Sequence, residues 1–429
     1  MTLGARARRA AFWSLDRLHG GPIRRDYQDI RSKMTDRFDD RDQLDAVLEH
    51  ATRTTDFYRP LAGADLDDFP VVSKADHKRH GQAMQSSAIG RDGLHVRTTS
   101  GSTGTPVEIG QDARKRRRAI ADTIYFNEVA GLHLGDRFLW LQSWRLHRSS
   151  RLDLLKKNVV PVDILQLDDS LRDSIIDALR DGRVHAVLSF ASVLSSLARR
   201  VEARGIEPEA FDLHVIISTA ETLQPHVKQR IEETFGCPVV NRYANEECGV
   251  LACSTPSDDR LFLNRASFHF EFLRIHDDEP AAPGEMARVV VTDLYGFAAP
   301  LIRYDTADLA RVDELGAPEA IALRSVEGRT SDVVNDVEGR QIPPAAISYL
   351  MAQRFPRIAQ YQLVQVDASS YRFRIALGPA EHSASDLTGP LHDVLGMEAH
   401  IDVEFLDEIP SEASGKYRPV VNQHLPRKP

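Results

Sequence analysis

Four short apolar runs decide the fold: Phe138-Leu139-Trp140-Leu141-Gln142, Ala186-Val187-Leu188-Ser189-Phe190, Val215-Ile216-Ile217-Ser218 and Val239-Val240-Asn241-Arg242-Tyr243. Each reads as a strand. Between them, apolar periodicity predicts helices over 171–181, 192–204 and 224–235. Strands alternating with helices imply a mostly parallel sheet covered by helices, an α/β fold. Ligands bind such sheets at the carboxyl ends of the strands. Two of those ends are polar here: Ser218-Thr219-Ala220-Glu221 and Tyr243-Ala244-Asn245-Glu246-Glu247-Cys248-Gly249. Trp144, Phe190 and Ala191 also lie at or after strand ends, where ligands bind such sheets, though such residues are more often core.

Upstream lies Thr98-Thr99-Ser100-Gly101-Ser102-Thr103-Gly104-Thr105-Pro106-Val107. Glycine lets backbone N–H groups approach a ligand closely, and hydroxyls add donors, so the loop suits an anion such as a polyphosphate. It lacks the Lys of a Walker loop and the spacing of a dinucleotide fingerprint. Its composition also admits a flexible Ser/Thr/Gly linker, the lesser of the two readings. A helix then opens at Asp112 and runs towards Val129. Its basic run, Arg114 to Arg118, turns successive side chains to different sides, so a solvated face is expected. Glu246-Glu247 reads as two acids on a solvated loop or, beside a phosphate loop, as a Mg²⁺ position, because a carboxylate near phosphate needs a cation between them.

Downstream, Val289–Thr292 and the run from Leu301 to Asp308 read as strand. Asp308 suits ribose hydroxyls or a turn start. Gly328-Arg329-Thr330-Ser331-Asp332 reads as an exposed turn. Composition then restarts. Tyr361–Val366 and Tyr371–Leu377 form a hairpin signal, followed by a helix near 386–395 and a strand through Ile401, Val403 and Phe405. This predicts a small α+β domain, with boundaries at 1–328 and 329–429. Ser414-Gly415-Lys416 closes the series on what alone reads as a surface tail.

The chain has 429 residues and a net charge of −9, which argues against nucleic-acid binding. Three cysteines give no disulfide framework and point to a reducing, cytoplasmic setting. Cys248, Cys253 and His269 match no zinc spacing and read as core thiols with an incidental His. Residues 1–95 look helical and charged. Arg6, Arg8 and Arg9 precede Ala10-Ala11-Phe12-Trp13, but Asp16 and Arg17 cut that run too short for a secretory segment. No apolar run approaches the roughly 20 residues of a membrane span.

Taken in order, Thr-Ser-Gly-Ser-Thr-Gly-Thr-Pro, Tyr-x-x-x-Glu, Arg-Tyr-Asp-Thr-Ala-Asp, Gly-Arg-x-x-Asp and Ser-Gly-Lys resemble the adenylate-forming superfamily. Phe12-Trp13-Ser14-Leu15-Asp16 and Thr292-Asp293-Leu294-Tyr295-Gly296-Phe297 are similar to its shorter branch of phenylacetate–coenzyme A ligases and CapK-type proteins. The resemblance covers nearly the whole chain. It implies a large N-terminal α/β domain with a small mobile C-terminal domain. Thr99, Ser100, Gly101, Ser102, Thr103, Gly104 and Thr105 would cradle ATP phosphates. Ala220 and Glu221 would lie along the adenine. Tyr243, with Ala244, Asn245 and Glu246 beside it, would meet the base and α-phosphate. Glu247 would hold Mg²⁺, Asp308 and Arg329 the ribose, and Lys416 would reach the α-phosphate and the substrate carboxylate.

The implied reaction turns an aromatic or apolar carboxylic acid into an acyl-adenylate and passes it to coenzyme A, a carrier-protein thiol or an amine. Oligomeric state is left open. Glu246 stands where the family has a hydroxyl, Ala307 where it has Gly, and Ser331 at the usual hinge position, with Asp332 adjoining. Thr105 replaces a Lys of some relatives. Glu246 and Ala307 also open a second reading, a catalytically silent nucleotide-binding homologue.

Overall fold

The computed structural model describes residues 2–35, 39–90, 92, 94–98, 108–144, 154, 157–312, 322–355, 358, 360–376, 383–406, 409–410, 412 and 416–424. The phosphate-loop candidates Thr99 to Thr105 lie outside the described residues.

All four apolar runs are strands, and they lie side by side. Val159–Asp163, Phe138–Gln142, Ala186–Ser189, Val215–Thr219 and Val239–Asn245 form a parallel block in that spatial order. Helices Asp169–Arg180, Ala191–Ala203 and Pro225–Phe235 pack Ile176, Leu197 and Phe235 into one core with Leu139, Val187 and Ile216 of the strands. Helix Ala113–Ala130 joins a second core through Phe126 and Ala130, against Leu188, Val215 and Ile217. Strands covered on both faces have no polar side, so Ala186–Ser189 is buried at every position. Val159–Asp163 escapes the sequence reading because Pro161 interrupts it. The proline is tolerated because this strand is the sheet's edge.

Beyond Val239–Asn245 the sheet turns antiparallel, through Gly249–Thr255, Asp258–Leu263, Ala322–Arg329, Tyr304–Val312, Met286–Asp293 and Phe268–Leu273. A separate four-stranded sheet runs His400–Leu406, Ser370–Ala376, Gln360–Gln365, Val420–Asn422. The predicted hairpin is its centre. Helices Pro344–Arg354 and Ala384–Leu395 cover it, and Ile347, Leu363, Phe373, Leu387 and Leu391 form its own core.

Two expectations are corrected. The basic run of the long helix is not simply a solvated face. Lys115 and Arg118, three apart and so on one side, are buried, with Lys115 Nζ 2.6 Å from Asp293 Oδ2 and Arg118 Nη1 2.5 Å from Asp29 Oδ2. Partner carboxylates make that burial tolerable. Residues 328–332 are not an exposed turn either: Gly328 and Arg329 end a strand, and Asp332 is buried beside the Arg418 guanidinium. No described helix is long and apolar enough to cross a membrane. Cys237, Cys248 and Cys253 are buried free thiols, and His269 hydrogen-bonds Asp40 at 2.8 Å.

Candidate active site

The carboxyl ends of Val215–Thr219 and Val239–Asn245 meet the strand Tyr304–Val312 and the segment around Lys416. Tyr243 Oη donates to Asp308 Oδ2 at 2.8 Å, and Arg329 Nε lies 3.5 Å from Asp308 Oδ1. Arg329 faces Asp308 because the two are register partners on neighbouring strands. Thr306 Oγ1 donates to the Val289 carbonyl and accepts from the Asp308 N–H, fixing the backbone under the carboxylate. Burial raises the Asp308 pKa above its ordinary value, while Arg329 and Lys416 pull it back.

Glu247 is buried. Its Oε1 accepts from Tyr304 Oη at 3.2 Å and lies 3.5 Å from Lys74 Nζ. Both contacts fall on one oxygen, so the carboxylate keeps a second to offer a hard cation, the donor type Mg²⁺ takes. Asn245 Oδ1 accepts the Cys248 N–H at 2.8 Å and shapes the turn that presents Glu247. Ala244 sits at a register shift in the strand. The extra acid Glu246 has Arg97 Nη1 3.6 Å from its carboxylate, so its charge is partly neutralised from the strand leading into residues 99–107.

Glu221 has a different neighbourhood from its two flanking motifs. Its Oε2 accepts the Ser192 N–H at 2.8 Å and its Oε1 the Ser192 hydroxyl at 3.0 Å. Helix Ala191–Ala203 has Phe190 at its N-cap and no side-chain cap of its own, so Glu221 satisfies an orphan N–H there from across the site. The same Oε1 accepts the Tyr417 N–H at 2.8 Å. That bond fixes the backbone next to Lys416, whose ammonium feels the charges of Asp308, Glu221 and Glu246. Burial and Arg329 lower the Lys416 pKa, while Asp308, Glu221 and Glu246 hold it up. Burial in turn raises the Glu221 pKa against its hydrogen bonds.

Trp144 stands past the end of Phe138–Gln142, with Nε1 donating to the Trp140 carbonyl at 3.1 Å. Phe190 packs in the core with Leu139 and Val193, and Ala191 is buried in the first turn of its helix. Lys74, Arg97, Ser192 and Tyr304 are site neighbours that the sequence reading missed.

Ala220 and Ala307 are both left-handed, at φ +65° and +60°. A Cβ there costs roughly 1–2 kcal/mol. Such strain at two site residues marks backbone held by its surroundings. Ala307→Gly should therefore raise stability by about 1 kcal/mol, read as a higher urea midpoint at unchanged m-value. An unchanged or lower midpoint would show the position unstrained.

Comparison with known proteins follows the same lines. A scan against protein-family models finds no match. CapK of Staphylococcus aureus is 23% identical over 384 residues, covering 85% of this chain and 82% of that protein. The phenylacetate–coenzyme A ligase of Aromatoleum evansii is 23% identical over 315 residues, 72% and 70% of the two chains. Among solved structures, 2-hydroxyisobutyryl-CoA ligase in its postadenylation state aligns over 89% of this chain and 88% of that one, with TM-score 0.70 and 18% identity. The same ligase in its thioesterification state gives a TM-score of 0.55. In sequence the chain is similar to CapK and to phenylacetate–coenzyme A ligases, and in fold to 2-hydroxyisobutyryl-CoA ligase.

Proposed function

We propose that this protein is an ATP-dependent, AMP-forming ligase that activates a carboxylic acid as its acyl-adenylate and hands the acyl group to coenzyme A. The observation that carries this reading is the delivery of Lys416 into the Asp308–Glu221–Glu246 cluster by the Tyr417–Glu221 hydrogen bond.

In the first half-reaction a substrate carboxylate oxygen attacks the α-phosphorus of ATP, and the bond to the pyrophosphate oxygen breaks. Two anions must meet. Lys416 offers a compact, mobile charge where negative charge develops. Asp308, held by Tyr243 and Arg329, accepts the ribose hydroxyls. Ala220 and Tyr243 flank the base, and residues 99–105 cradle the phosphates. Glu247 would hold Mg²⁺, which when bound would supply positive charge to the phosphate oxygens. Arg97 keeps Glu246 from repelling them. We assign residues 1–328 to the AMP-binding domain and 329–429 to a mobile domain. The higher TM-score to a postadenylation structure, together with the docked Tyr417, supports reading this arrangement as that of the first half-reaction. Trp144 is our candidate for lining an apolar acid pocket, whereas Phe190 and Ala191 serve the core beside it.

The test is pyrophosphate exchange into ATP across a panel of carboxylic acids, followed by coenzyme A, carrier-thiol and amine acceptors. Exchange with at least one apolar acid and thioester formation with coenzyme A are expected. ATP binding without exchange for any acid would favour the silent homologue, and amide formation alone would move the acceptor to an amine.

A further inference from the structure

We propose a second, independent metal site, for a divalent transition ion such as Zn²⁺, at the opposite pole of the parallel sheet, built from His185, Asp212 and His214. The two histidines are placed by sheet register. His185 immediately precedes Ala186 and His214 immediately precedes Val215, and Ala186 and Val215 are parallel partners. The His214 N–H donates to the His185 carbonyl at 2.7 Å. The rings stack with centroids 4.9 Å apart and planes within 10°. Asp212, two residues before His214, puts Oδ2 3.5 Å from His185 Nδ1. One donor atom from each of the three residues lies within 4.8 Å of the others.

Two imidazoles and one carboxylate form the donor set of Zn²⁺, Cu²⁺ and Ni²⁺ rather than of Mg²⁺ or Ca²⁺. Ligand atoms of a tetrahedral Zn²⁺ stand about 3.4 Å apart, given bonds of about 2.0–2.1 Å. The cluster therefore has to tighten by at most about 1.4 Å at its widest. Asp212 and His214 are exposed, so side-chain rotation supplies that movement, while His185 is anchored by its half-buried position. The nearby Arg183 is paired with Asp181 at 3.0 Å, which limits its opposition to a cation. Three protein ligands leave a fourth position for water. Because the cluster sits at the amino ends of the strands, it is remote from Glu247 at their carboxyl ends. The ion would tie the starts of two core strands together.

The experiment is titration of Zn²⁺ into the full-length, untagged, chelator-stripped protein, with Cu²⁺ electron paramagnetic resonance as a second readout. The chain has 16 histidines, so the variants decide the assignment. One saturable Zn²⁺ equivalent is expected, weakened about tenfold or more in His214→Ala and in His185→Ala. The Cu²⁺ spectrum should show coupling to two nitrogens in the wild type and one in His214→Ala. His214→Ala removes an exposed side chain, so it should fold and retain pyrophosphate exchange. No saturable binding, or binding unchanged in both histidine variants, would overturn the site.

Discussion

Lys416→Ala should lower pyrophosphate exchange by about a hundred- to a thousandfold, the usual loss when one preorganised stabiliser of developing charge is removed. ATP affinity should change little, because the ammonium acts where charge grows in the transition state rather than on the ground-state nucleotide. Thioester formation from supplied acyl-adenylate and coenzyme A should survive. Lys416→Arg should recover only part of the loss. A guanidinium keeps the charge but is a planar fork where a compact, half-buried ammonium is stabilised by the charges of Asp308, Glu221 and Glu246. Exchange within a few-fold of the unaltered protein would take Lys416 out of the reaction. Equal losses in both half-reactions would make its role structural.

How much of this could be read from the chain depends on where the signal was local. The strand Phe138–Gln142 and the helices Asp169–Arg180, Ala191–Ala203 and Pro225–Phe235 follow the predicted pattern closely, because each element carries its own periodicity. Gly249–Thr255 carries none. Val250 through Ser254 are all buried in the middle of the sheet, so the run has no alternation to read. Phe268-His269-Phe270-Glu271-Phe272 does alternate, so this strand is legible in the sequence. The site divides the same way. Tyr243, Glu247 and Asp308 fall at strand ends or in a distinctive run, so chemistry and position coincide in the sequence. Lys74 begins a helix whose Ser73–Asp76 capping box is visible, yet its place 3.5 Å from Glu247 is a product of the whole fold. Arg97 reaches Glu246 across a comparable gap in sequence. The buried Lys115 and Arg118 show the limit from the other direction: a basic run gives no sign that Asp293 and Asp29 will meet it.

Glu221→Ala should be the second large effect, and it tests whether that carboxylate is a latch. The change leaves the Ser192 and Tyr417 N–H groups without their partner. Both groups are part-buried, and each donor left unsatisfied costs about 1–3 kcal/mol. The two costs fall on different things. The Ser192 bond caps a helix of the large sheet, so losing it lowers the melting temperature. The Tyr417 bond holds the Lys416 segment in place, so losing about 1.4–2.8 kcal/mol there lowers adenylation by roughly ten- to a hundredfold. Conversion of supplied acyl-adenylate to thioester should be spared, since under the proposed function the mobile 329–429 domain withdraws Lys416 for that step. Glu221→Gln should fall between, because an amide keeps one acceptor oxygen but turns an NH₂ towards groups that donate. A residue that only capped its helix would lower both half-reactions together, in step with the fall in melting temperature. Loss confined to adenylation would instead assign Glu221 to holding Lys416 over the reacting phosphate.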